Sequence, residues 1–270
     1  MDSLREEYSG LEKIKVWFGR KSVVVFTMGK VGTLTICNSL RKIGYRHVHP
    51  HSLRFTRPGI HFLKVPLSAT EKKKYFIRTL LKRIKVWVWK LCKREILIIT
   101  GVRDPYSRNL SAYFEQVHYL GGINSSATPD QVRDLFEQTC DFDAPLNWFD
   151  DEVLKVTGIN VYDYPFDINK GISIIKKGKY KLLVFRVDKL NSLETEISEF
   201  LYEEKFKVLS TNSSDNGDYS VQSKTLRDSY KYDTKLAKHF TNSKYMNHFF
   251  DAQEIEELEA RWSNPSIVNG

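Results

Sequence analysis

The stretch from Ser22 to Lys42 limits most strongly how this chain can fold. An apolar run, Val23-Val24-Val25-Phe26, enters the turn Thr27-Met28-Gly29-Lys30-Val31-Gly32, and Thr33 onward reads as a helix. β-branched and aromatic residues favour a buried strand, and the glycine-bearing turn passes the chain directly to the helix. Such a unit aims free backbone N–H groups and the positive end of a helix dipole at one point. Lys30 adds a full charge there, and Thr33 and Thr35 add hydroxyl donors. The ligand this turn suits is a phosphate or sulfate group. The loop is not G-x-x-x-x-G-K-[ST], because Lys30 precedes Gly32, nor is it G-x-G-x-x-G.

The rest of the chain alternates strands with helices. Residues 1–21 read as a leading arm, Ser22–Phe26 as strand, Thr33–Lys42 as helix with Gly44 as its stop, and Tyr45–His49 as a short strand ended by Pro50. Ala69–Arg94 is a basic helical insertion with Phe76, Leu80, Ile84, Val88 and Leu91 at core spacing. A second reading rests this helix on anionic lipid, with Trp87 and Trp89 at headgroup level. Glu95–Thr100 is a strand apolar enough for burial on both faces. Asp104 then suits an N-cap and Pro105 a first helical position, starting a helix that reaches about Tyr119. Further helices are expected over Pro129–Thr139, Leu146–Val156, Asp188–Phe200, Val221–His239 and Asp251–Trp262. Val161–Tyr164, Ile172–Lys176 and Lys181–Val187 read as extended. This order predicts an α/β fold with a central, mainly parallel sheet flanked by helices, one domain over residues 1–270.

A formal net charge of +9 and a pI near 9.2 favour anionic partners without choosing among them. Nucleic acid is disfavoured because no binding motif or aromatic ladder is found. Cys37, Cys92 and Cys140 are too few and too scattered for a disulfide framework or a zinc motif, and no strong metal-ligand spacing occurs. With no secretory signal and no long apolar run, the expected location is cytoplasmic, and peripheral to the membrane if the basic helix rests on lipid.

A second strand end opens a helix at Val102-Arg103-Asp104-Pro105-Tyr106-Ser107-Arg108-Asn109-Leu110-Ser111-Ala112-Tyr113. Arg103 and Ser111 could reach one anion from neighbouring directions, and arginine's planar fork suits a phosphate. This pair of motifs resembles the sulfotransferases that use 3′-phosphoadenosine-5′-phosphosulfate (PAPS). Met28 to Thr35 stands where that family grips the 5′-phosphosulfate. Arg103-Asp104-Pro105, Arg108, Ser111 and Tyr113 match its R-D-P-x-x-R-x-x-S-x-Y pattern, whose first arginine and serine bind the 3′-phosphate. Leu183–Leu190 and Tyr245–Trp262 are similar to its late strand and closing segment. Asn147–Asp150 and Tyr162–Gly171 are similar to bacterial capsular polysaccharide synthesis proteins.

The resemblance implies a P-loop-like sulfotransferase architecture and a carbohydrate, polysaccharide or glycolipid acceptor. PAPS would be the donor, held by Lys30, Val31, Gly32, Thr33, Leu34, Thr35, Arg103 and Ser111, with no metal. Lys30 would steady the leaving phosphate. The base is expected near the second strand's end, where His47, His49 and His51 cluster. His49 and His51 are both candidates, with His49 preferred; Glu115 and Asp104 are acidic alternatives. Asn212, Ser213 and Lys224 lie in or after a polar loop that could cover the nucleotide. Acceptor contacts would come from His51–Leu67, Gly121–Asp130 and Tyr162–Lys170. A nucleotide-dependent kinase and a non-enzymatic basic anion- or membrane-binding module are the competing readings.

Overall fold

The computed structural model describes residues 22–53, 69–92, 95–116, 127–209 and 220–263. β1 (Ser22–Val25), α1 (Thr33–Lys42) and β2 (Arg46–Val48) come first, followed by α2 (Ala69–Cys92), β3 (Ile96–Val102) and α3 (Pro105–Gln116). α4 (Pro129–Thr139) precedes α5 (Ala144–Trp148), which runs through a π-helical segment, Phe149–Leu154, into α6 (Lys155–Thr157). β4 (Ile172–Lys177) and β5 (Tyr180–Arg186) form a hairpin, and α7 (Glu194–Leu201), α8 (Ser220–Ser229), α9 (Thr234–Thr241), α10 (Lys244–Phe249) and α11 (Ala252–Trp262) complete the order.

The sheet has five strands in the order β2-β1-β3-β5-β4. Its first four strands are parallel neighbours, and only β4 runs antiparallel, on the edge. Alternate residues of each central strand enter opposite cores, as burial on both faces requires. Val23, Val25, Leu97, Ile99, Leu183 and Phe185 pack with α1 and α7 through Ile36, Leu40, Ile197 and Phe200. Val24, Phe26, Ile96, Ile98, Leu182 and Val184 face the other core, with Val86 and Trp89 of α2, Leu110 of α3 and the aromatic side chains of the C-terminal helices.

The strand order fixes where a ligand can sit. From β1 the chain crosses to β2 on one side, and from β3 it proceeds toward β5 on the other. The two connections diverge, and a crevice opens beyond the carboxyl ends of β1 and β3. β1 stops level with Ile99, while β3 runs on to Val102 beside the loop that follows β1. Gly101 lies at that contact: a Cβ there would come within 2.6 Å of the Val31 carbonyl oxygen and 2.9 Å of the Phe185 ring.

Several elements differ from the sequence reading. Val161–Asp163 is a 3-10 turn rather than an extended segment. The helix read over Val221–His239 is two, because Asp233 caps α9 through Leu236 N–H and Tyr232 pairs in extended form with the end of α11. The helix read from Asp188 begins as a 3-10 segment, Val187–Ser192, before α7. The largest correction concerns α2. Its inward face is Arg83, Val86 and Trp89, whereas Phe76, Ile84 and Leu91, read as core, are exposed. Helical spacing marks an apolar stripe but cannot say whether the protein or something else covers it. With Trp89 buried, only Trp87 of the two tryptophans stays available to a lipid surface. Residues 1–21, read as a leading arm, 93–94 at the end of the basic insertion, 54–67 and 121–126 of the loops read as acceptor contacts, and Asn212 and Ser213 lie outside the described residues. Among the described residues, no helix is long and apolar enough to cross a membrane.

Replacing Gly101 by alanine should push the β1–α1 loop away from β3. Overpacking of this kind costs about 1–3 kcal/mol. Thermal melting of Gly101→Ala should therefore fall by several degrees; an unchanged melting temperature would show that the loop is not seated on β3 as described.

Candidate active site

The loop after β1 turns through unusual backbone. Gly29, Lys30 and Gly32 all have positive φ, at 89°, 59° and 72°. Glycine adopts this region freely, but lysine pays a steric cost there, so the surroundings must hold Lys30 in place. Gly32 is also the N-cap of α1, and no side chain caps that helix. With glycine at the N-cap, the first turn of α1 faces the crevice without the hydroxyl or carboxylate that an N-cap side chain usually supplies.

Two arginines from the β3–α3 junction brace the loop. Arg103 donates from one terminal nitrogen to the Lys30 carbonyl at 3.3 Å and to Ser111 Oγ at 3.2 Å, while its Nε donates to Ser107 Oγ at 2.9 Å. Arg108, fully buried, donates to the Met28 carbonyl at 3.1 Å and to Asn109 Oδ1 at 2.9 Å. Burial lowers the pKa of both groups, that of Arg108 to about 10, so both stay cationic at neutral pH. Their charges sit beside and beneath the loop and raise its positive potential. Asp104 caps α3, accepting from the Ser107 N–H at 2.8 Å and from the Ser107 hydroxyl. Tyr245 of α10 holds the end of β3 from behind: its hydroxyl accepts from Arg103 N–H at 3.2 Å and donates to the Arg103 carbonyl at 2.9 Å.

The histidines approach from β2. Thr27 links them to the loop: its hydroxyl lies 3.0 Å from Thr33 Oγ1 and 3.5 Å from His49 Nε2, and its carbonyl lies 2.8 Å from His51 Nδ1. A carbonyl only accepts, so Nδ1 of His51 carries the proton and Nε2 holds the lone pair. The two rings meet edge to face at 4.4 Å. Burial, with a smaller push from Lys82, lowers both pKa values and keeps both rings neutral at pH 7. Behind them Glu152, on the π-helical segment, accepts from Ser52 Oγ at 2.8 Å and Leu53 N at 3.1 Å, and Trp148 Nε1 donates to the His51 carbonyl at 3.2 Å. Such segments recur where a helix must re-aim side chains at a site.

These groups line one cleft of about 290 Å³ that takes in Lys30, Gly32, Thr33, Leu34, Thr35, His49, His51, Arg103 and Ser111. Val31 is the exception among the sequence candidates; its side chain is buried against Gly101, leaving only its backbone for a ligand. Glu115 also lines the cleft, 3.9 Å from Lys30 Nζ. Arg227 of α8 and Val187 complete it, and neither stood out in the sequence. Arg227 lies 124 positions after Arg103, and no local pattern marks it; Lys224, one turn earlier, is exposed instead. A larger neighbouring cleft of about 640 Å³ shares Arg103 and Val187 but also contains Asp104, Asp188, Glu254 and Glu257. There Arg186 is neutralised at 2.7 Å by Asp188 and Glu254. With four carboxylates against Arg103, Arg186 and Arg261, that cleft is less suited to an anion than the smaller one. Among the described residues no group of three His, Cys, Asp or Glu side chains could hold a metal ion.

Residues 123–251, that is 129 of 270, match the model of a family described as “Putative capsular polysaccharide synthesis protein”. The matched segment runs through β4, β5 and Arg227 and includes neither the β1–α1 loop nor Arg103 and Ser111. No curated protein and no solved structure matches the chain.

Burial also makes a pH prediction. His47, lowered to about 4, His49 and His51 all titrate below the ordinary histidine value in the folded chain. The unfolded chain then takes up protons first as pH falls below about 6.5. Stability should be full above that pH and decline as pH drops through it toward about 4. Melting curves between pH 7.5 and 5 should show the decline, and His47→Gln should flatten it; a flat wild-type profile would contradict the burial of these rings.

Proposed function

We propose that this chain transfers a sulfuryl group from PAPS to a hydroxyl of a carbohydrate, polysaccharide or glycolipid acceptor. The observation that carries this reading is the convergence of the Lys30 loop and the Arg103–Ser111 pair on one cleft beside two neutral histidines. One phosphate site formed by the α1 N-terminus and a second formed by Arg103 and Ser111 suit a nucleotide phosphorylated at both ends. The match to a capsular polysaccharide synthesis family supports a glycan acceptor.

In the proposed reaction the acceptor oxygen attacks sulfur in line. A new S–O bond forms, the bond from sulfur to the bridging phosphate oxygen breaks, and the electron pair leaves with adenosine 3′,5′-bisphosphate. Lys30 exchanges its 3.9 Å contact with Glu115 for the negative charge growing on that oxygen. The acceptor proton passes to a histidine. Sequence alone prefers His49. The bond from His51 Nδ1 to the Thr27 carbonyl favours His51, because it fixes the tautomer that puts a lone pair on Nε2. His49 then stands beside it, contacting Thr27 Oγ1 and the His51 ring. The neighbouring larger cleft, which shares Arg103, has room for the uncharged part of the nucleotide.

The test is transfer of label from sulfuryl-labelled PAPS to capsular-type polysaccharides and glycolipids, followed with release of the bisphosphate. Lys30→Ala and His51→Gln should each lower kcat/KM by roughly 100-fold or more, and His49→Gln by less. The acid limb of the pH profile should lie below about 6.5, the ordinary histidine value. Full activity in His51→Gln would overturn the base assignment. Transfer of phosphate rather than sulfuryl label would overturn the reaction.

A further inference from the structure

Among the described residues, six of the nine large apolar side chains left exposed belong to α2: Phe76, Ile77, Leu81, Ile84, Trp87 and Leu91, at 42–61% exposure. Ile77, Leu81, Ile84 and Leu91 fall at spacings of four, three and seven, so they form one stripe along the helix. The opposite side is already committed to the protein through Arg83, Val86 and Trp89. Scattered exposed leucines need no explanation, but a continuous stripe does.

The charge on the helix says what covers the stripe. Ala69–Cys92 contains eight Lys and Arg residues and one Glu, so it holds seven of the nine net positive charges of the whole chain. Two such helices brought face to face would repel, which argues against a second copy as occupant. Nucleic acid would use the charges but leave the apolar stripe in water. A lipid bilayer with anionic headgroups satisfies both, since the apolar side chains enter the acyl boundary while the basic ones meet the headgroups. Trp87 at 61% exposure has the amphipathic ring that favours this interface. The helix lies on the membrane rather than across it, being too charged to span.

We propose that α2 docks this protein on an anionic phospholipid surface through the Ile77–Leu81–Ile84–Leu91 stripe and its flanking basic residues. The inference does not depend on the reaction. It does place the bilayer next to β2, against which α2 packs, and Lys82 of α2 contributes to the field at His49 and His51.

Co-sedimentation with vesicles of phosphatidylcholine, with and without one third phosphatidylglycerol, tests it directly on the full chain. Partitioning should be at least about tenfold stronger on the anionic vesicles and should weaken in raised salt. Leu81→Ser with Ile84→Ser should reduce it about tenfold or more, and Arg78→Glu with Lys85→Glu should do the same. Leu81 and Ile84 are exposed, so the first pair should melt as the wild type does; Trp87→Phe should remove a blue shift of tryptophan emission on binding. Equal binding to neutral vesicles, undiminished binding by the serine pair, or a dimer in sedimentation that the serine pair dissolves would each overturn the proposal. Loss of binding together with retained sulfuryl transfer would leave the reaction reading intact and still support the docking surface.

Discussion

The proposed reaction depends on the backbone of Gly29, Lys30 and Gly32 staying in its left-handed form. Lys30 at φ 59° is the costly member, because a side chain there meets its own carbonyl. Two hydrogen bonds from a different part of the chain oppose that cost, from Arg103 to the Lys30 carbonyl and from Arg108 to the Met28 carbonyl. Gly101 allows the loop to lie close against β3, and Tyr245 fixes the residue from which Arg103 projects. The sheet order then matters, since only neighbouring β1 and β3 with divergent connections leave a crevice at this place.

This arrangement gives the R-D-P-x-x-R-x-x-S-x-Y pattern a physical content in which most positions are structural. Arg103 and Ser111 face the cleft; Asp104 starts the helix; Arg108 lies under the loop; Tyr113 donates to the Val132 carbonyl at 3.1 Å and ties α3 to α4. A fully buried guanidinium is expensive to desolvate, and hydrogen bonds to the Met28 carbonyl and Asn109 Oδ1 offset part of that cost for Arg108. Glu115 partly offsets Lys30 at 3.9 Å, but with half its side chain exposed the pair is weak and easily exchanged.

Much of the fold was readable because local signals agreed. α1 and α4 have the bounds the sequence implies, since Gly32, Gly44, Thr128 and Pro129 punctuate them. Strand positions were legible from apolar runs, and their parallel arrangement from the alternation with helices. Where reading failed, tertiary contacts had decided. Tyr232 breaks a helical run because its ring is buried among Tyr106, Phe136 and Phe240, and α2 turns its Trp89 side inward although its other stripe has the better spacing. At the site, Lys30, Arg103 and Ser111 stood out by residue type and spacing. Arg227 and Tyr245 did not, because they arrive from helices far along the chain. The hydrogen bond from His51 Nδ1 to the Thr27 carbonyl, on which the proposed preference for His51 rests, is encoded by no sequence pattern.

The central claim is that the ends of β1 and β3 build a single site for a nucleotide phosphorylated at both the 5′ and 3′ positions. Thermal melting with adenosine 3′,5′-bisphosphate, with 5′-AMP and ATP as controls, tests it most directly. Saturating ligand at about 100 times Kd stabilises a fold by about 2.7 kcal/mol. The account predicts an upward shift of several degrees that requires the 3′-phosphate and largely disappears in Arg103→Ala. An equal shift with ATP, or no shift with the bisphosphate, would contradict it.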